Sequence, residues 1–446
     1  MFSTADTIVA IATPPGRGGI GVVRLSGPQA GGIAGGLRGA DVPLVPRHAT
    51  LSRIHSADQL VDRAVVTLFP APHSYTGEDV VEISAHGSPV MLRAIVAAAI
   101  ARGARLAEPG EFTLRAFLNN RIDLTQAEAV ADLVDAVTPL QARAAFDQLE
   151  GTLTQRIGAI DATLFDLIAR LEASVDFPEE GYHFVDPGEL AGALDTVLEK
   201  VSCVLADGRR GRMIREGLQL VIVGKPNVGK SSLFNALAGA ERAIVTSTPG
   251  TTRDLITEAV DINGLRVTLV DSAGIRPTDD LVESAGVDLA RNALRVSDAI
   301  LVVVDGSNPL DECDAEILRD TSHAKRVVAA NKCDIREDAD GGFLRVSAKT
   351  GVGLDRLRDE LTRVLDVEPT RDRPAITNLR HVTLLEKAHE ALTRTRAAID
   401  EQGSGVSEEF VLADLQDARN ALEEISGRRA PDDLLAHIFA RFCVGK

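Results

Sequence analysis

The chain has 446 residues, of which 45% are hydrophobic and 25% are charged, and its formal net charge at pH 7 is −17. This length predicts about two to four domains, and the acidic balance argues against bulk electrostatic attraction to nucleic acid while leaving room for a local basic patch. The sequence has no signal-peptide pattern and no apolar run of membrane-spanning length, so the cytoplasm is the expected compartment. The scattered cysteines lack metal-site spacing, which predicts reduced thiols.

Residues 1–120 mix short β-type runs with turns, which predicts an α+β domain. The expected strands cover residues 7–12, 19–25, 64–69 and 79–84. The Ala, Val, Ile and Leu content of residues 88–102 predicts a helix that can cover such strands.

Long helices are predicted from residue 121 onward. Thr125 and Glu128 have the spacing of a capping box, and Pro139 interrupts the pattern before a second helix. Apolar residues then recur at spacings of three and four as far as Asp176, where the helix is expected to end. Their shared face is predicted to be buried, and it consists of Leu149, Leu153, Ile157, Ile160, Leu164, Leu167 and Leu171.

The remainder of the chain predicts an α/β domain inserted into a helical one. A helix is expected over residues 187–206, followed by a solvated hinge at the basic cluster of residues 209–212. Alternating strand-like and helix-like segments then predict a parallel sheet. Helical spacing returns after about residue 375, with Gly427 as a stop and Pro431 opening a last helix. We therefore predict an N-terminal domain (1–120), an inserted α/β domain (214–368), and a discontinuous all-α domain (121–213 and 369–446).

One stretch organises the inserted domain, namely GKPNVGKS at residues 224–231. It follows an apolar strand and precedes a helix, which is the context that makes this pattern a phosphate-binding loop. Lys230 is expected to reach the β- and γ-phosphates of a nucleotide, and the Ser231 hydroxyl is expected to bind Mg²⁺. The alternative is a chance Gly/Lys loop.

Four further stretches occur in the order that a GTPase requires. Residues 250–254, GTTRD, are expected to bring a threonine hydroxyl to Mg²⁺, and Asp271 with Gly274 is expected to meet Mg²⁺ and the γ-phosphate. Asp334 of the NKCD stretch can accept two hydrogen bonds from guanine, a pair that adenine cannot offer. Residues 347–349, SAK, are expected to supply a backbone N–H to guanine O6. Together these stretches predict a guanine-nucleotide-binding domain.

The hydrolytic apparatus differs from the Ras type. Ile275 stands where Ras-like enzymes carry the glutamine that orients the attacking water. Glu283 is the candidate replacement, and the alternative is an ordinary glutamate at a helix N-terminus. The positive charge for the transition state could come from Arg253, Arg276, a partner or a monovalent cation, for which Asn227 offers a carbonyl oxygen.

The whole chain resembles the MnmE (TrmE) family of tRNA-uridine-modification GTPases. The resemblance extends over essentially all 446 residues. Besides the nucleotide motifs, it is carried by residues 21–28 (GVVRLSGP), 74–80 (SYTGEDV), 109–119 (PGEFTLRAFLN), 124–129 (LTQAEA) and 442–446 (FCVGK).

The resemblance implies a folate site in the N-terminal domain. The family's N-terminal domain is similar to the folate-binding fold of the glycine-cleavage T-protein, dimerises, and binds 5-formyltetrahydrofolate. Arg24, Glu82, Arg121 and Lys446 match the positions that the family uses for folate, with Arg121 standing where lysine is common. Cys443 is implied to lie near the one-carbon site, and an inert buried thiol is the alternative. Residues 86–88, HGS, replace the usual His-Gly-Gly.

The resemblance also implies the metal sites and the water-orienting residue. It assigns Mg²⁺ to Ser231 and Thr252 and favours Glu283 as the catalytic residue. It assigns K⁺, in place of an arginine finger, to Asn227, Thr246, Thr248 and Thr251. The full set of residues expected around GTP comprises Asn227, Val228, Gly229, Lys230, Ser231, Ser232, Thr246, Ser247, Thr248, Pro249, Gly250, Thr251, Thr252, Asp271, Ser272, Ala273, Gly274, Asn331, Lys332, Asp334, Ser347, Ala348 and Lys349.

Family membership would make the protein a homodimeric GTPase whose G domains pair during hydrolysis. Family members act with an FAD-containing flavoprotein, MnmG, in a heterotetramer or larger complex, and they place an aminomethyl-type group on C5 of the wobble uridine of certain tRNAs. Two alternatives stay open from the residues. One is a non-catalytic switch, such as a ribosome-assembly GTPase that binds rRNA, and the other is a folate-dependent methyltransferase with a regulatory G domain.

Overall fold

The computed structural model describes residues 5–39, 43–57, 59–176, 187–240, 256–271, 297–336, 342–365, 376–402 and 407–446. The chain forms two compact units. One contains Met1–Ala131 together with Arg419–Lys446, and the other contains Asp132–Ala418. The first unit is therefore assembled from both ends of the chain. The division into domains given above stays a prediction.

The first unit contains a six-stranded sheet in the order β3-β4-β5-β2-β1-β6. Its strands are β1 (Ile8–Ile11), β2 (Gly18–Ser26), β3 (Thr50–Ser56), β4 (Gln59–Phe69), β5 (Val80–Gly87) and β6 (Arg105–Leu106). Neighbouring strands are antiparallel except β1 and β6. The sequence did not predict β3, because its apolar residues Leu51 and Ile54 are three apart and break the alternation typical of strands.

Helices accompany the strands in this unit, and the mixture confirms the predicted α+β class. They are α1 (Ala30–Arg38), α2 (Pro89–Ile100), α3 (Glu111–Leu118) and α4 (Leu124–Asp135). Ile33 of α1 and Ile95 of α2 are buried in one cluster with Val23, Leu25 and Ile83 from β2 and β5. Burying this apolar face removes it from water and stabilises the layer of helices on the sheet.

The capping box predicted at Thr125 and Glu128 is wrong by two residues. Helix α4 is capped by Asp123, whose Oδ1 accepts a 2.8 Å hydrogen bond from the Gln126 amide. Gln126 Oε1 in turn accepts a 3.0 Å bond from the Asp123 amide. Aspartate is preferred over threonine at a helix N-cap, so the helix begins earlier and Thr125 is buried inside it.

The second unit opens with three helices, α5 (Pro139–Leu149), α6 (Thr152–Asp176) and α7 (Pro187–Glu216). Thr138 caps α5, as its Oγ1 accepts a 3.2 Å hydrogen bond from the Gln141 amide. The predicted apolar face is confirmed along α6, where Leu153, Ile160 and Leu164 are fully buried. Leu149 belongs to the preceding helix. The described part of α6 runs to Asp176, and the residues at which it is predicted to stop lie outside the described residues.

The hinge predicted at residues 209–212 is wrong, because these residues lie inside α7. The Arg, Met and Ile residues around the cluster are compatible with a helix. The one glycine within the cluster, Gly211, is buried. A Cβ on Gly211 would overlap the carbonyl oxygen of Ile376. The glycine therefore serves close packing of the helix against this neighbouring segment.

The α/β part of the second unit confirms the predicted parallel sheet. Its elements are β7 (Leu218–Val223), α8 (Lys230–Ala240), β8 (Ile256–Ile262), β9 (Leu265–Asp271), β10 (Ala299–Asp305), α9 (Glu312–Asp320), β11 (Arg326–Asn331), β12 (Leu344–Arg345) and α10 (Leu354–Leu365). The strand order is β12-β11-β10-β7-β9-β8, and the edge strand β8 alone is antiparallel to its neighbour. The carboxyl ends of β7, β9, β10 and β11 consequently meet at one edge, where ligands bind in such folds.

The last helices are α11 (Leu379–Gln402), α12 (Glu408–Ser426) and α13 (Asp432–Phe439). Gly427, with φ of +84°, ends α12 as predicted, and Pro431 precedes α13. The final residues are built into the first unit, since Val444 pairs with Pro109 and the Phe439 ring lies 6.5 Å from that of Phe117. No helix in the described part of the chain is both long and apolar enough to cross a bilayer.

Candidate functional site

The loop between β7 and α8 has the backbone of a phosphate-binding loop. Gly224 has φ of +155° and Gly229 has φ of +95°, where L-residues with side chains are strained. A Cβ at Gly224 would overlap the Val303 carbonyl oxygen, and one at Gly229 would overlap the Asn331 amide nitrogen. Both glycines are therefore required for the loop to curl between β10 and β11.

The Lys230 ammonium lies inside this loop. Its Nζ donates to the carbonyl oxygens of Gly224, at 2.8 Å, and Lys225, at 2.7 Å, and the residue is only 8% exposed. Ser231 and Ser232 follow in the first turn of α8, where helix amides and the helix dipole favour an anion. The loop thus holds a cation and a helix N-terminus together, as phosphate binding requires.

Asn331 connects the phosphate loop to the two loops predicted to read guanine. Its Nδ2 donates a 2.9 Å hydrogen bond to the Val228 carbonyl oxygen, and its Oδ1 accepts a 3.0 Å bond from the Ala348 amide. Asp334 Oδ1 accepts a 2.7 Å bond from Ser347 Oγ, which lowers the pKa of Asp334 and keeps it ionised. The residues at the ends of β7, β11 and β12 therefore form one connected site.

The ion pairs that two lysines make at this edge were not predicted. Lys225 Nζ lies 2.6 Å from Asp311 Oδ2 and 2.7 Å from Asp314 Oδ2 at the start of α9. Lys332 Nζ lies 2.8 Å from Asp305 Oδ2 and donates a second 2.8 Å bond to the Asn227 carbonyl oxygen. The signal for Asp305 was present in the sequence, because an acidic residue directly follows the apolar run of β10.

Asp305 is held in its ionised form. Burial by itself raises its pKa, but hydrogen bonds from the Lys332 ammonium and from the hydroxyl and amide of Ser307 outweigh burial and lower the pKa to about 2. Ser307 Oγ lies 2.5 Å and Ser307 N 2.9 Å from Asp305 Oδ1. The carboxylate is thereby fixed in one orientation with its other oxygen toward Lys332.

Several predicted site residues lie outside the described residues. Asp271 ends β9 beside Ile222 of β7, so its backbone reaches the site edge. The positive charge of Lys349 lies near Asp334 and contributes to its lowered pKa. The predicted residues that lie outside are Thr246, Ser247, Thr248, Pro249, Gly250, Thr251, Thr252, Ser272, Ala273, Gly274 and Glu283. Their roles stay predictions.

A second cluster of predicted residues is assembled in the first unit. Arg24 pairs with Glu82, with Nη2 2.8 Å from Oε1, and its guanidinium lies 5.5 Å from the centre of the Tyr75 ring. Arg24 Nη1 also donates a 3.4 Å bond to the carbonyl oxygen of Gly445. Burial, followed by the positive charge of Arg24, lowers the pKa of Lys446. Two cations therefore share this site with one carboxylate, which favours an anionic ligand.

The two remaining predicted residues of this cluster are placed nearby in the same unit. Arg121 lies beside Gly77 in the loop before β5. Cys443 is exposed, so the alternative of a buried thiol is wrong. The Cys443 carbonyl oxygen accepts a 3.3 Å bond from the Lys446 amide, which turns the chain end toward Arg24.

The first unit also contains an ionic network, not predicted from the sequence, around the buried Arg115. Arg115 is 1% exposed, and its guanidinium lies 2.6 Å from Asp6, 3.0 Å from Glu111 and 3.2 Å from Glu78. Arg105 pairs with Asp6 and Glu111, each at 2.6 Å. Burial raises the pKa of Glu111, but the two arginines outweigh it and lower the pKa. The network fixes α3 to the chain before β1 and to the loop before β5.

Comparisons with known proteins match both ends of the chain to one family. The family described as "GTP-binding protein TrmE N-terminus" matches residues 7–121, and the family described as "MnmE helical domain" matches residues 124–443. The tRNA modification GTPase MnmE of Laribacter hongkongensis is 42% identical, covering 100% of both chains, and that of Koribacter versatilis is 43% identical, covering 99% of each.

Solved structures give a weaker likeness. The crystal structure of the G domain of the T. maritima FeoB iron transporter is 26% identical and covers 33% of this chain and 98% of that chain. Its TM-score is 0.26, which is too low to support any argument about this protein.

Proposed function

The chain belongs to the MnmE family of tRNA modification GTPases, and from this premise we propose that it uses GTP hydrolysis to modify the wobble uridine of certain tRNAs. The modification is an aminomethyl-type (carboxymethylaminomethyl) group on C5, added together with an MnmG-type, FAD-containing flavoprotein. The observation that carries the nucleotide half of this proposal is the position of Asn331, whose amide joins the phosphate loop at Val228 to the guanine-reading loop at Ala348.

Guanine selectivity is assigned to Asp334 and the loop that follows β12. The ionised carboxylate, held by Ser347 Oγ at 2.7 Å, can accept hydrogen bonds from N1–H and the 2-amino group of guanine. Adenine offers no donor at N1, so it would leave the carboxylate without its partners, a mismatch that sites of this kind reject strongly.

The residues around the phosphates fit a GTP–Mg²⁺ complex. Lys230 supplies a cation within the glycine-rich loop, and the Ser231 hydroxyl with that of Thr252 would hold Mg²⁺. Mg²⁺ bound by these hydroxyls would neutralise part of the negative charge of the phosphates. Glu283 is proposed to orient the attacking water, since Ile275 has no polar group to do so.

A monovalent cation site is proposed at Asn227, completed by Thr246, Thr248 and Thr251. Asn227 has φ of +64°, a left-handed conformation that asparagine tolerates better than most residues, and its carbonyl oxygen is held by Lys332. That bond fixes the backbone from which the Asn227 side chain extends. K⁺ bound there would supply the positive charge that other GTPases obtain from an arginine.

A folate such as 5-formyltetrahydrofolate is the proposed ligand of the first unit. The Glu82 carboxylate matches the amidine-like edge of a pterin, while Arg24, Arg121 and Lys446 offer cations for the glutamate tail. The Tyr75 ring, whose centre lies 5.5 Å from the Arg24 guanidinium, adds an aromatic group to the same site. Cys443, exposed and bonded through its carbonyl to the Lys446 amide, is proposed to lie near the one-carbon unit.

The proposed assembly is a homodimer through the N-terminal domain, with G domains that pair during hydrolysis. The flavoprotein would bind to form a heterotetramer or larger complex that acts on tRNA in the cytoplasm. The proposed domains are residues 1–120 for folate binding and dimerisation, 214–368 for GTP, and 121–213 with 369–446 for the helical domain that connects them.

Reconstitution tests the proposal. The protein, the flavoprotein, unmodified tRNA, GTP, K⁺ and 5-formyltetrahydrofolate are combined, and the uridines are analysed as nucleosides. We expect modified wobble uridine only with GTP and the flavoprotein. We expect Glu283→Ala to bind GTP but not hydrolyse it, and Na⁺ to replace K⁺ poorly.

Each alternative has its own outcome in this experiment and its genetic counterpart. Unchanged wobble uridines in tRNA from a deletion strain would favour the ribosome-assembly switch. Methyl transfer to uridine without the flavoprotein would favour the folate-dependent methyltransferase. Equal GTPase rates in K⁺ and Na⁺ would remove Asn227 from its cation-binding role.

A further inference from the structure

The segment of residues 331–334, one of the two that are proposed to read guanine, makes two successive hydrogen bonds to the phosphate loop. Asn331 donates to the Val228 carbonyl oxygen at 2.9 Å, and the next residue, Lys332, donates to the preceding carbonyl, that of Asn227, at 2.8 Å. Consecutive residues of one loop are thus paired with consecutive carbonyls of the other. A change in the backbone of the phosphate loop at Asn227 would either break the hydrogen bond to Lys332 or move the Lys332 side chain.

The hydrogen bond from the Lys332 ammonium to the Asn227 carbonyl connects two residues that both have an unfavourable backbone conformation. Lys332 has φ of +68° and Asn227 has φ of +64°, a left-handed region that is costly for residues other than glycine. A lysine side chain has four rotatable bonds, so its ammonium does not stay at one carbonyl unless something holds it. Asp305 meets this need, since its Oδ2 lies 2.8 Å from Lys332 Nζ.

Asp305 is itself fixed on both sides. Its Oδ1 accepts bonds from Ser307 Oγ and N, at 2.5 Å and 2.9 Å, and this leaves Oδ2 directed to Lys332. The backbone is fixed as well, because Asp305 pairs with Asn331 in the β10–β11 register and the Gly306 amide donates 2.7 Å to the Asn331 carbonyl oxygen. The carboxylate is therefore a rigid support and not one half of a mobile surface pair.

We infer that Asp305 is a positioning residue for GTP binding. It holds the Lys332 ammonium on the Asn227 carbonyl and so couples residues 331–334, which are proposed to read guanine, to the shape of the phosphate loop. The inference rests on the proposed guanine-reading role of residues 331–334. A surface ion pair would contribute little to either loop. Here the carboxylate is 16% exposed, and the ammonium it holds also bonds a residue of the phosphate loop.

The test measures nucleotide affinity in a double-mutant cycle. Asp305→Asn keeps the size of the side chain and can keep the Ser307 bonds, but it removes the negative charge opposite Lys332. Lys332→Met keeps the stem and removes the ammonium. We expect each single variant to weaken binding of a fluorescent GTP analogue by about tenfold, the cost of losing one charge-assisted hydrogen bond. We expect the double variant to bind no more weakly than Lys332→Met alone.

The cycle separates positioning from a merely structural role. If Asp305 acted only on the stability of β10, Asp305→Asn would weaken the Lys332→Met protein further, and the additive result would overturn the inference. So would a GTP affinity of Asp305→Asn within about twofold of the wild type. KM for GTP should rise with the dissociation constant, while kcat changes less.

Two further variants protect the test against unfolding and general damage. Asp305→Glu keeps the charge but moves it by one methylene, so we expect partial recovery of affinity; an affinity no better than that of Asp305→Asn would contradict the positional argument. Asp298→Asn changes the aspartate before β10, whose Oδ2 accepts from the Gln219 amide at 2.8 Å, and should leave GTP affinity unchanged. Circular dichroism of each nucleotide-free variant defines the temperature at which all are folded.

The outcomes for this inference and for the proposed function are distinct. If the wild-type protein binds GTP no better than ATP, the proposed guanine-reading role fails before Asp305 is considered. If the wild type selects GTP and the Asp305 variants match it, only the positioning role is refuted.

Discussion

Gly211→Ala is a sharp test of how α7 packs in the second unit. The glycine is buried in the helix, and a Cβ there would overlap the carbonyl oxygen of Ile376 and lie 3.1 Å from the Cα of Thr377. Both neighbours are backbone atoms, so no side-chain rotation relieves the overlap. The carbonyl has to move by more than about 1 Å to reach an ordinary contact distance.

The cost follows from what that movement breaks. Thr377 Oγ1 accepts a 2.7 Å hydrogen bond from Gln148 Nε2, and the two residues are 4% and 2% exposed. Leaving a buried polar group without its partner costs about 1–3 kcal/mol for each group. Alanine in a helix recovers about 1 kcal/mol relative to glycine. The net loss is roughly 1–5 kcal/mol, which corresponds to a fall in Tm of roughly 2–8 °C for a unit of this size.

The same helix supplies matched controls for a thermal unfolding measurement. Gly192 has nothing within 4 Å of its virtual Cβ, so Gly192→Ala should raise Tm slightly through helix propensity alone. Gly208 would meet the Val382 side chain at 3.0 Å, so Gly208→Ala should fall between the two. A Gly211→Ala protein as stable as Gly192→Ala would refute the close packing of α7 against Ile376.

Three further predictions concern charge. Asp334→Asn should lower the affinity for GTP and raise that for xanthosine triphosphate, because the amide donates where the carboxylate accepts; competition binding measures the exchange. Arg115→Met should destabilise the first unit by about 3–5 kcal/mol, because Glu78 loses the buried cation beside it while Asp6 and Glu111 keep only Arg105, and thermal unfolding of that unit measures the loss. Asp305, whose pKa is lowered to about 2 by Lys332 and Ser307 despite burial, should contribute stability that is present above its ordinary value of 3.8 and lost as the pH falls toward 2. Asp305→Asn should flatten that part of the acid unfolding curve, and an unchanged curve would contradict the assignment.

The features that the sequence predicted correctly are those that neighbouring residues determine. The glycines of the phosphate loop and the stop at Gly427 depend on local backbone conformation, and both predictions are confirmed. The apolar face of α6 was also predicted, because a helical period needs only a short window of sequence. The nucleotide motifs were recognised for the same reason, since each one is short and follows a strand.

The features that escaped prediction depend on residues far apart in the chain. Asp305 gains its role from Lys332, 27 residues away, and only the pairing of β10 with β11 brings the two together. The basic cluster at residues 209–212 suggested a solvated hinge, because Ile376, against which Gly211 packs, lies about 165 residues further along the chain. The capping error had a different cause. Asp123 and Thr125 are each followed three residues later by Gln or Glu, and the preference of helix N-caps for aspartate over threonine is small.

The first unit can finish folding only after its C-terminal residues have been synthesised. Gly110 packs against Phe439 and Phe442, and Gly445 packs against the carbonyl oxygen of Ile11. These contacts around β1 and α3 cannot form until residues 439–445 are present. About 290 residues separate the two parts of this unit. At a synthesis rate of 5–20 residues per second, the ribosome needs roughly 15–60 s to deliver the second part. During that interval the part of the unit that has already been synthesised, residues 1–131, exposes unfinished apolar surface.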